Sequence, residues 1–424
     1  MKILIKNAHC VDPRALLNEI KDVLIVDGSI KEIKEDITVK ADEVIDARGL
    51  HLFPGLIDVH VHFREPGHEH KETIATGIDA ALHGGFTACV TMPNTKPCCD
   101  SSSVTEFILN EGKKKGFSIF PCGTMTKGRE GKELSEMADM KRAGIVAASD
   151  DGGPISTSIL MRRIMEYASM LNIPLMLHEE DSTLSQNTVM HEGAMSTQLG
   201  LKGMPSLGEY LMVMRDIELA RLTGARVHFQ HISCKESVAL IKAAKKEGLK
   251  ITCEVTPHHL ALIDEELVSY DTTFKVSPPL REKKDKDALQ KGVKDGVIDM
   301  IATDHAPHHS VEKENDINHA PFGCIGLESA LGVTLTELFH TKMLDLTKVV
   351  ELMNVNPAAL IGQYDHGALK VGNEANCALV DVDKEWIVDA TTFKSKARNC
   401  PFNKRTLKGK AVTTICKGVV YNND

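Results

Sequence analysis

The chain has 424 residues, of which 42% are hydrophobic and only 4% aromatic, and it carries a formal net charge of -9. That length holds two or three average domains, or one large α/β barrel with an appendage, and aliphatic side chains must fill the core. The acidic balance argues against a nucleic-acid or anionic-membrane surface, and no apolar run approaches the roughly 20 residues of a membrane span.

In chain order, residues 1–50 read as short strands at 2–7, 22–26, 30–33 and 43–46, and the first lacks the apolar block of a signal peptide. A different rhythm follows. Apolar, β-rich runs at 56–61, 86–91, 118–122, 145–148, 173–177, 226–230, 250–255 and 298–302 alternate with helical stretches at 74–82, 103–115, 159–171, 207–222 and 235–247. Such alternation over roughly 250 residues is the length of a (β/α)8 barrel. Stretches 328–338 and 346–353 read as closing helices, and 375–382, 384–388, 411–417 and 419–421 as strands again. The expected fold is α/β: a TIM-type (β/α)8 barrel over residues 54–364, with a small β-sandwich domain composed of residues 1–53 and 365–424. Neither end is large enough for a secure core alone. Eleven cysteines, an odd number without a Cys-x-x-Cys pair, fit a reducing cytoplasm, and the vicinal Cys98-Cys99 read as two loop thiols.

Asp58-Val59-His60-Val61-His62 ends the first apolar run. On a strand, residues two apart share a face, so both imidazoles converge with the Asp58 carboxylate in line. Barrel active sites lie at the C-terminal strand ends. Those ends carry His60 and His62 (first), Asn94 (second), Asp150 and Asp151 (fourth), His178 (fifth), His231 (sixth), His258 and His259 (seventh), and Asp304, His305 and His308 (eighth); the third offers nothing obvious. Singly, each of the 19 histidines reads as an ordinary polar residue. His60, His62, His178 and His231, all at predicted strand ends, do not.

Imidazole and carboxylate ligands without thiolate suit zinc or a similar first-row divalent ion, and their number exceeds what one tetrahedral ion needs. Two ions bridged by a carboxylate account for it; such a pair activates water near neutral pH and polarises a carbonyl. Asp304 is placed to take a proton from that water and return it to a leaving nitrogen; a helix N-cap is its competing reading. Arg64, beside the histidine pair, offers a guanidinium fork for a carboxylate, with Asn94 supporting the same anion. A surface ion pair with Glu65 is the plainer alternative for it. The polar segment 310–319 reads either as a lid closing over a substrate or as an ordinary exposed loop.

The stretch from Phe53 to Gly67, FPGLIDVHVHFREPG, resembles the opening of the amidohydrolase superfamily, and specifically of dihydroorotases. Thr91 to Thr95, Ser149-Asp150-Asp151-Gly152, His178-Glu179-Glu180, His231-Ile232-Ser233, Thr256 to His259, Thr303 to His308, Pro321-Phe322-Gly323 and Asn356-Pro357-Ala358 extend the resemblance over almost the whole chain. It implies reversible cyclisation of N-carbamoyl-L-aspartate to L-dihydroorotate in pyrimidine biosynthesis. His60, His62 and Asp304 are then expected to hold one zinc ion, and His178 and His231 the other. Many superfamily members bridge the two with a carboxylated lysine; here Asp150-Asp151 stands in that place, as in long-chain bacterial dihydroorotases, and Asp151 matches best.

His62, Arg64, Asn94, His308, Phe322 and Gly323 are the expected substrate contacts. Ser277 occupies a position that commonly carries asparagine, and its shorter side chain has no amide donor. The resemblance implies one or two zinc ions, a small-molecule substrate and a cytoplasmic enzyme, and leaves a homodimer or a complex with aspartate transcarbamoylase open. Competing readings are a hydantoinase or allantoinase, disfavoured by the missing lysine, and a non-catalytic partner of aspartate transcarbamoylase, disfavoured because every candidate ligand is kept.

Overall fold

The computed structural model describes residues 1–423. Lys2–Asp12 belongs to an eight-stranded sheet whose members come from both ends of the chain. Across it run Val419–Asn422, Thr406–Cys416, Cys377–Ile387, His51–Pro54, Lys2–Asp12, Leu17–Val26 and Ser29–Lys34, with Glu43–Asp46 paired beside Lys2–Asp12. The two ends join where Ala378 opposes Phe53 and Leu379 opposes Leu52. Ile3 and Ile5, on one face by alternation, pack with Val23, Ile25, Leu379 and Ile415. Strands from opposite termini thus bury each other's apolar faces. The seam strand His51–Pro54 is absent from the sequence expectation. The two strands expected at 375–382 and 384–388 form one, with an irregular register between Asp381 and Glu385.

Eight parallel strands form the second large sheet: Leu56–Val61, Phe86–Thr91, Ser118–Gly123, Ala147–Ala148, Leu175–Leu177, Val227–Phe229, Ile251–Val255 and Met300–Ile301, each bonded to the next. His62 N–H donates to His305 O at 2.9 Å, and a parallel bridge joins Val61 to His305. The first strand therefore meets the chain leaving the eighth, and the barrel is nearly closed. Helices cover its outer face, which is why the strands read as continuous apolar runs rather than alternating ones.

Helices Ile74–His83, Ser102–Lys114, Ser158–Leu171, Leu207–Thr223 and Lys235–Lys246 lie within one residue of expectation. Thr73 starts the first of them, accepting from Thr76 N–H. Lys283–Lys294 is a helix the sequence hid, because its large apolar residues are only Leu289 and Val293.

Gly55 carries the chain from the terminal sheet into the barrel. A Cβ there would lie 2.2 Å from Thr87 Oγ1, so a side chain would push the first barrel strand off the second.

Candidate active site

Between Asp58 and Val61 the first strand has two residues where the second has one: Asp58 opposes Cys89, and Val61 opposes Thr91. This bulge breaks strict alternation and re-aims the side chains after it. Ile57 and Val59 pack in the central cluster with Val90, Met176 and Met300, and beyond the bulge His60 and His62 face inward as well. Asp58 therefore does not stand in line with the imidazoles, as simple alternation predicts. Its carboxylate turns to backbone, accepting from His60 N–H (2.9 Å) and Thr303 N–H (3.2 Å), and ties the first strand to the eighth.

Asp151 is the centre of the cluster. Its Oδ1 lies 3.5 Å from His60 Nε2, 3.6 Å from His178 Nδ1 and 3.6 Å from His231 Nε2, and its Oδ2 lies 3.4 Å from His62 Nε2. Asp304 Oδ1 lies 2.9 Å from His62 Nε2 and 3.5 Å from His60 Nε2. His60 Nε2 and Asp151 Oδ1 are buried without a hydrogen-bond partner, which is costly unless something else satisfies them. Donor atoms around a tetrahedral ion at about 2.1 Å lie about 3.4 Å apart, close to the separations around Asp151. Two triads, His60/His62/Asp151 and Asp151/His178/His231, share that aspartate. The donor set fits a first-row divalent ion. Burial alone would raise the Asp151 carboxyl, but the imidazoles, led by His60, hold it well below the ordinary range. Asp304 is lowered in the same way by His60 and His62.

The outward-facing ring nitrogens are held from behind. His60 Nδ1 lies 2.6 Å from Glu254 Oε1, His62 Nδ1 lies 2.8 Å from Asn94 Oδ1, and His178 Nε2 lies 3.2 Å from Glu180 Oε2. Such partners fix the tautomer and orientation of a ligating imidazole. Burial opposes charge on Glu254, but facing His60 and His228 outweigh it and hold the carboxyl at about 2. Sequence reasoning missed Glu180 and Glu254. The available signal for Glu254 was a lone carboxylate inside an apolar barrel strand.

A cavity of about 300 Å³ opens over the cluster, and Arg64, Asn94, Ser277, His308, Phe322 and Gly323 help to line it. Arg64 Nε donates to Pro307 O at 3.2 Å. It does not serve Glu65, whose Oε2 accepts from Ile74 N–H, so the surface-pair reading of Arg64 fails. Burial, with Arg64, Lys71 and Lys313 nearby, pushes the His308 imidazole down to about 2 and keeps it neutral. Its Nε2–H donates to Phe322 O at 2.8 Å. Ser277 Oγ donates to Glu180 Oε2 at 3.1 Å, so its hydroxyl braces the partner of His178. Gly323 N–H donates to Lys275 O at 2.9 Å.

A family model described as Dihydro-orotase-like matches residues 49–237. Dihydroorotase of Pelotomaculum thermopropionicum is 48% identical over 100% of this chain and 99% of its own. Dihydroorotase of Acetivibrio thermocellus is 45% identical over 99% of this chain and 98% of its own. The chain belongs to the dihydroorotase family. Among solved structures, L-hydantoinase (dihydropyrimidinase) from Arthrobacter aurescens aligns with a TM-score of 0.87 at 26% identity, covering 99% of this chain and 95% of its own. Dihydropyrimidinase from Brevibacillus agri aligns at 0.84 and 23% identity, over 100% and 96%.

Several residues in the stretches that resemble dihydroorotases serve the scaffold. Asp150 Oδ1 accepts from Met125 and Thr126 N–H and anchors the loop after the third strand. His259 Nδ1 meets Thr256 Oγ1 and its Nε2 meets Pro278 O. His305 Nδ1 accepts from Gly326 N–H. His258 is buried, with Nδ1 3.5 Å from Cys324 Sγ.

Segment 310–319 is largely exposed but anchored at two points. Ser310–Lys313 is helical, Lys313 and Ile317 are buried, and Lys313 Nζ donates to Pro321 O and Gly323 O. Ten of the eleven cysteines are buried, Cys98 being the exception, and all are free thiols. A third grouping, His191/Glu282/Asp285, has Arg281 Nη1 3.2 Å from His191 Nδ1, and that guanidinium opposes a cation there. Among the described residues no helix is long and apolar enough to cross a membrane.

Proposed function

We propose that this protein is a cytoplasmic dihydroorotase, interconverting N-carbamoyl-L-aspartate and L-dihydroorotate plus water in pyrimidine biosynthesis. The observation that carries the reading is Arg64 in the wall of the cavity that holds the His/Asp cluster. Its guanidinium can take a carboxylate bidentately, and dihydroorotate has a carboxylate that hydantoin lacks. Near-full-length identity to dihydroorotases supports the same substrate.

In ring opening, water attacks the amide carbonyl carbon, the C–N bond breaks, and the ring nitrogen gains a proton. A carboxylate oxygen of Asp304 accepts the proton from the water and delivers it to that nitrogen. The neighbouring imidazoles, His60 and His62 foremost, keep Asp304 ionised. Arg64 holds the substrate carboxylate, and Asn94, neutral His308 and the Phe322-Gly323 turn set its orientation. His62 and Ser277 line the same cavity.

His60, His62, Asp151, His178, His231 and Asp304 would hold zinc, as two ions sharing Asp151. Zinc bound there supplies Lewis-acid polarisation of the carbonyl and acidifies water. In this reading residues 54–364 form the catalytic barrel, and residues 1–53 with 365–424 form the accessory domain. A homodimer and a complex with aspartate transcarbamoylase both stay open as the enzyme's assembly.

The test is turnover of dihydroorotate against hydantoin and allantoin, with metal quantified on the same sample. Preference for hydantoin or allantoin overturns the reading, and an inactive protein that purifies without metal favours a non-catalytic partner.

A further inference from the structure

Residues 393–400, between strands Cys377–Ile387 and Thr406–Cys416, form neither helix nor strand. Yet Ser395, Ala397, Asn399 and Cys400 are buried, none more than 6% exposed. Irregular backbone survives in an interior only if its polar groups find partners. The barrel supplies them. Glu328 accepts from the N–H groups of Lys394 (2.8 Å) and Ser395 (3.2 Å). Glu72 accepts from Lys396 N–H (3.1 Å) and from the Ser395 hydroxyl. These carboxylates pin the segment on the barrel rim and deliver Asn399 to the back of the cavity wall.

Asn399 there joins two separate pieces of chain. Its Nδ2 donates to Ala306 O (3.2 Å) and to Gly323 O (3.0 Å), and its Oδ1 accepts from His308 N–H (3.4 Å). Its backbone carbonyl accepts from Ile325 N–H at 3.1 Å. The first piece carries His308, and the second carries Phe322 and Gly323. They meet without slack: a Cβ on Gly323, where φ is +124°, would lie 2.8 Å from Ala306 Cβ and 3.2 Å from His308 Nε2. A primary amide suits this position, because one end offers two N–H donors and the other accepts. Aspartate has the same shape but would set an anionic oxygen against two carbonyl oxygens.

We propose that Asn399 is a positioning residue for substrate binding. It sets the spacing between the His308 segment and the Phe322-Gly323 turn, so the accessory domain completes a binding edge that the barrel starts. The inference rests on the reading of those residues as substrate contacts.

Steady-state kinetics with dihydroorotate test it on the full-length, zinc-loaded protein. Asn399→Ala should raise KM about tenfold, and Asn399→Asp further, with kcat within about threefold of the parent. Zinc content should stay at the parent level, because Asn399 touches none of the cluster. A purely structural role would instead lower the melting temperature and leave KM unchanged in the folded fraction. KM within about twofold of the parent in both folded variants overturns the inference. If neither variant folds, Asn399→Ser places a hydroxyl, which both donates and accepts, at the position. Faster amide exchange at residues 306–308 and 321–324 together with a raised KM supports the inference, and unchanged exchange and KM overturn it. A parent that does not turn over dihydroorotate sinks the proposed function, and this inference with it. Parent turnover with unmoved variants sinks the inference alone.

Discussion

Glu254 Oε1 lies 2.6 Å from His60 Nδ1, and neither residue has measurable solvent exposure. The same oxygen accepts from His231 N–H at 3.3 Å, and Oε2 lies 3.0 Å from His228 Nε2. His231 sits at φ +28°, a backbone conformation that needs such support. One carboxyl thus orients a histidine from each triad. Glu254→Gln keeps the shape and removes the charge, so zinc affinity should fall about 10- to 100-fold in chelator competition. Unchanged affinity would mean that packing alone holds His60.

Asp304→Asn should lower kcat about 10²- to 10⁴-fold with KM little changed, because the amide cannot carry the proton. Zinc should be partly retained, since His60, His62 and Asp151 remain; metal analysis and kinetics on one preparation separate the two effects. Turnover at the parent rate would remove Asp304 from the proton path.

Arg64→Met should raise KM for dihydroorotate by roughly 10- to 100-fold, the scale of a lost hydrogen-bonded charge pair. Arg64→Lys should recover only part of this, because an ammonium cannot match the bidentate fork. Full recovery by lysine would reduce Arg64 to a point charge.

Chelation should abolish turnover and added zinc should restore it. Asp151→Ala should cost more metal than His178→Ala, since Asp151 belongs to both triads. Equal losses would argue against a shared aspartate.

His191 supplies a pH prediction away from the cluster. Burial, with Arg281 beside it, pushes its imidazole down to about 4 from an ordinary 6.5. The folded state therefore binds the proton less readily than the unfolded state. Its contribution is intact above pH 6.5 and is lost as pH falls toward 4, amounting to about 2 kcal/mol by pH 5. His191→Asn keeps an acceptor for Arg281 without titrating, so unfolding measured at pH 7 and pH 5 should show the smaller loss in the variant. Parallel losses would show that His191 is protonated in the fold.

The barrel was legible because its strands, largely buried on both faces, leave mostly apolar runs, and the exposed faces of most intervening helices leave a helical period. Strand ends then marked His60, His62, Asp151, His178, His231 and Asp304 as candidates, and the structure brings all six together. Local pattern alone, however, put Asp58 in line with the histidines and left Asp150 and Asp151 undivided.

By itself, the sequence determined the alternation of strands and helices, the residue types at the rim, and the Arg64 that follows the histidine pair. These are properties of neighbouring residues and of hydrophobic period. Tertiary structure alone decided the bulge that turns Asp58 away, the task of Asp150 in anchoring the loop after the third barrel strand, and the bracing by Glu180, Glu254 and Asn399. Each of these depends on contacts between residues far apart in the chain: Glu254 meets His60 across 194 positions, and Asn399 meets Ala306 across 93. No local period encodes which distant group a buried carboxylate or amide will satisfy; that is settled when the barrel closes and the terminal sheet packs on its rim.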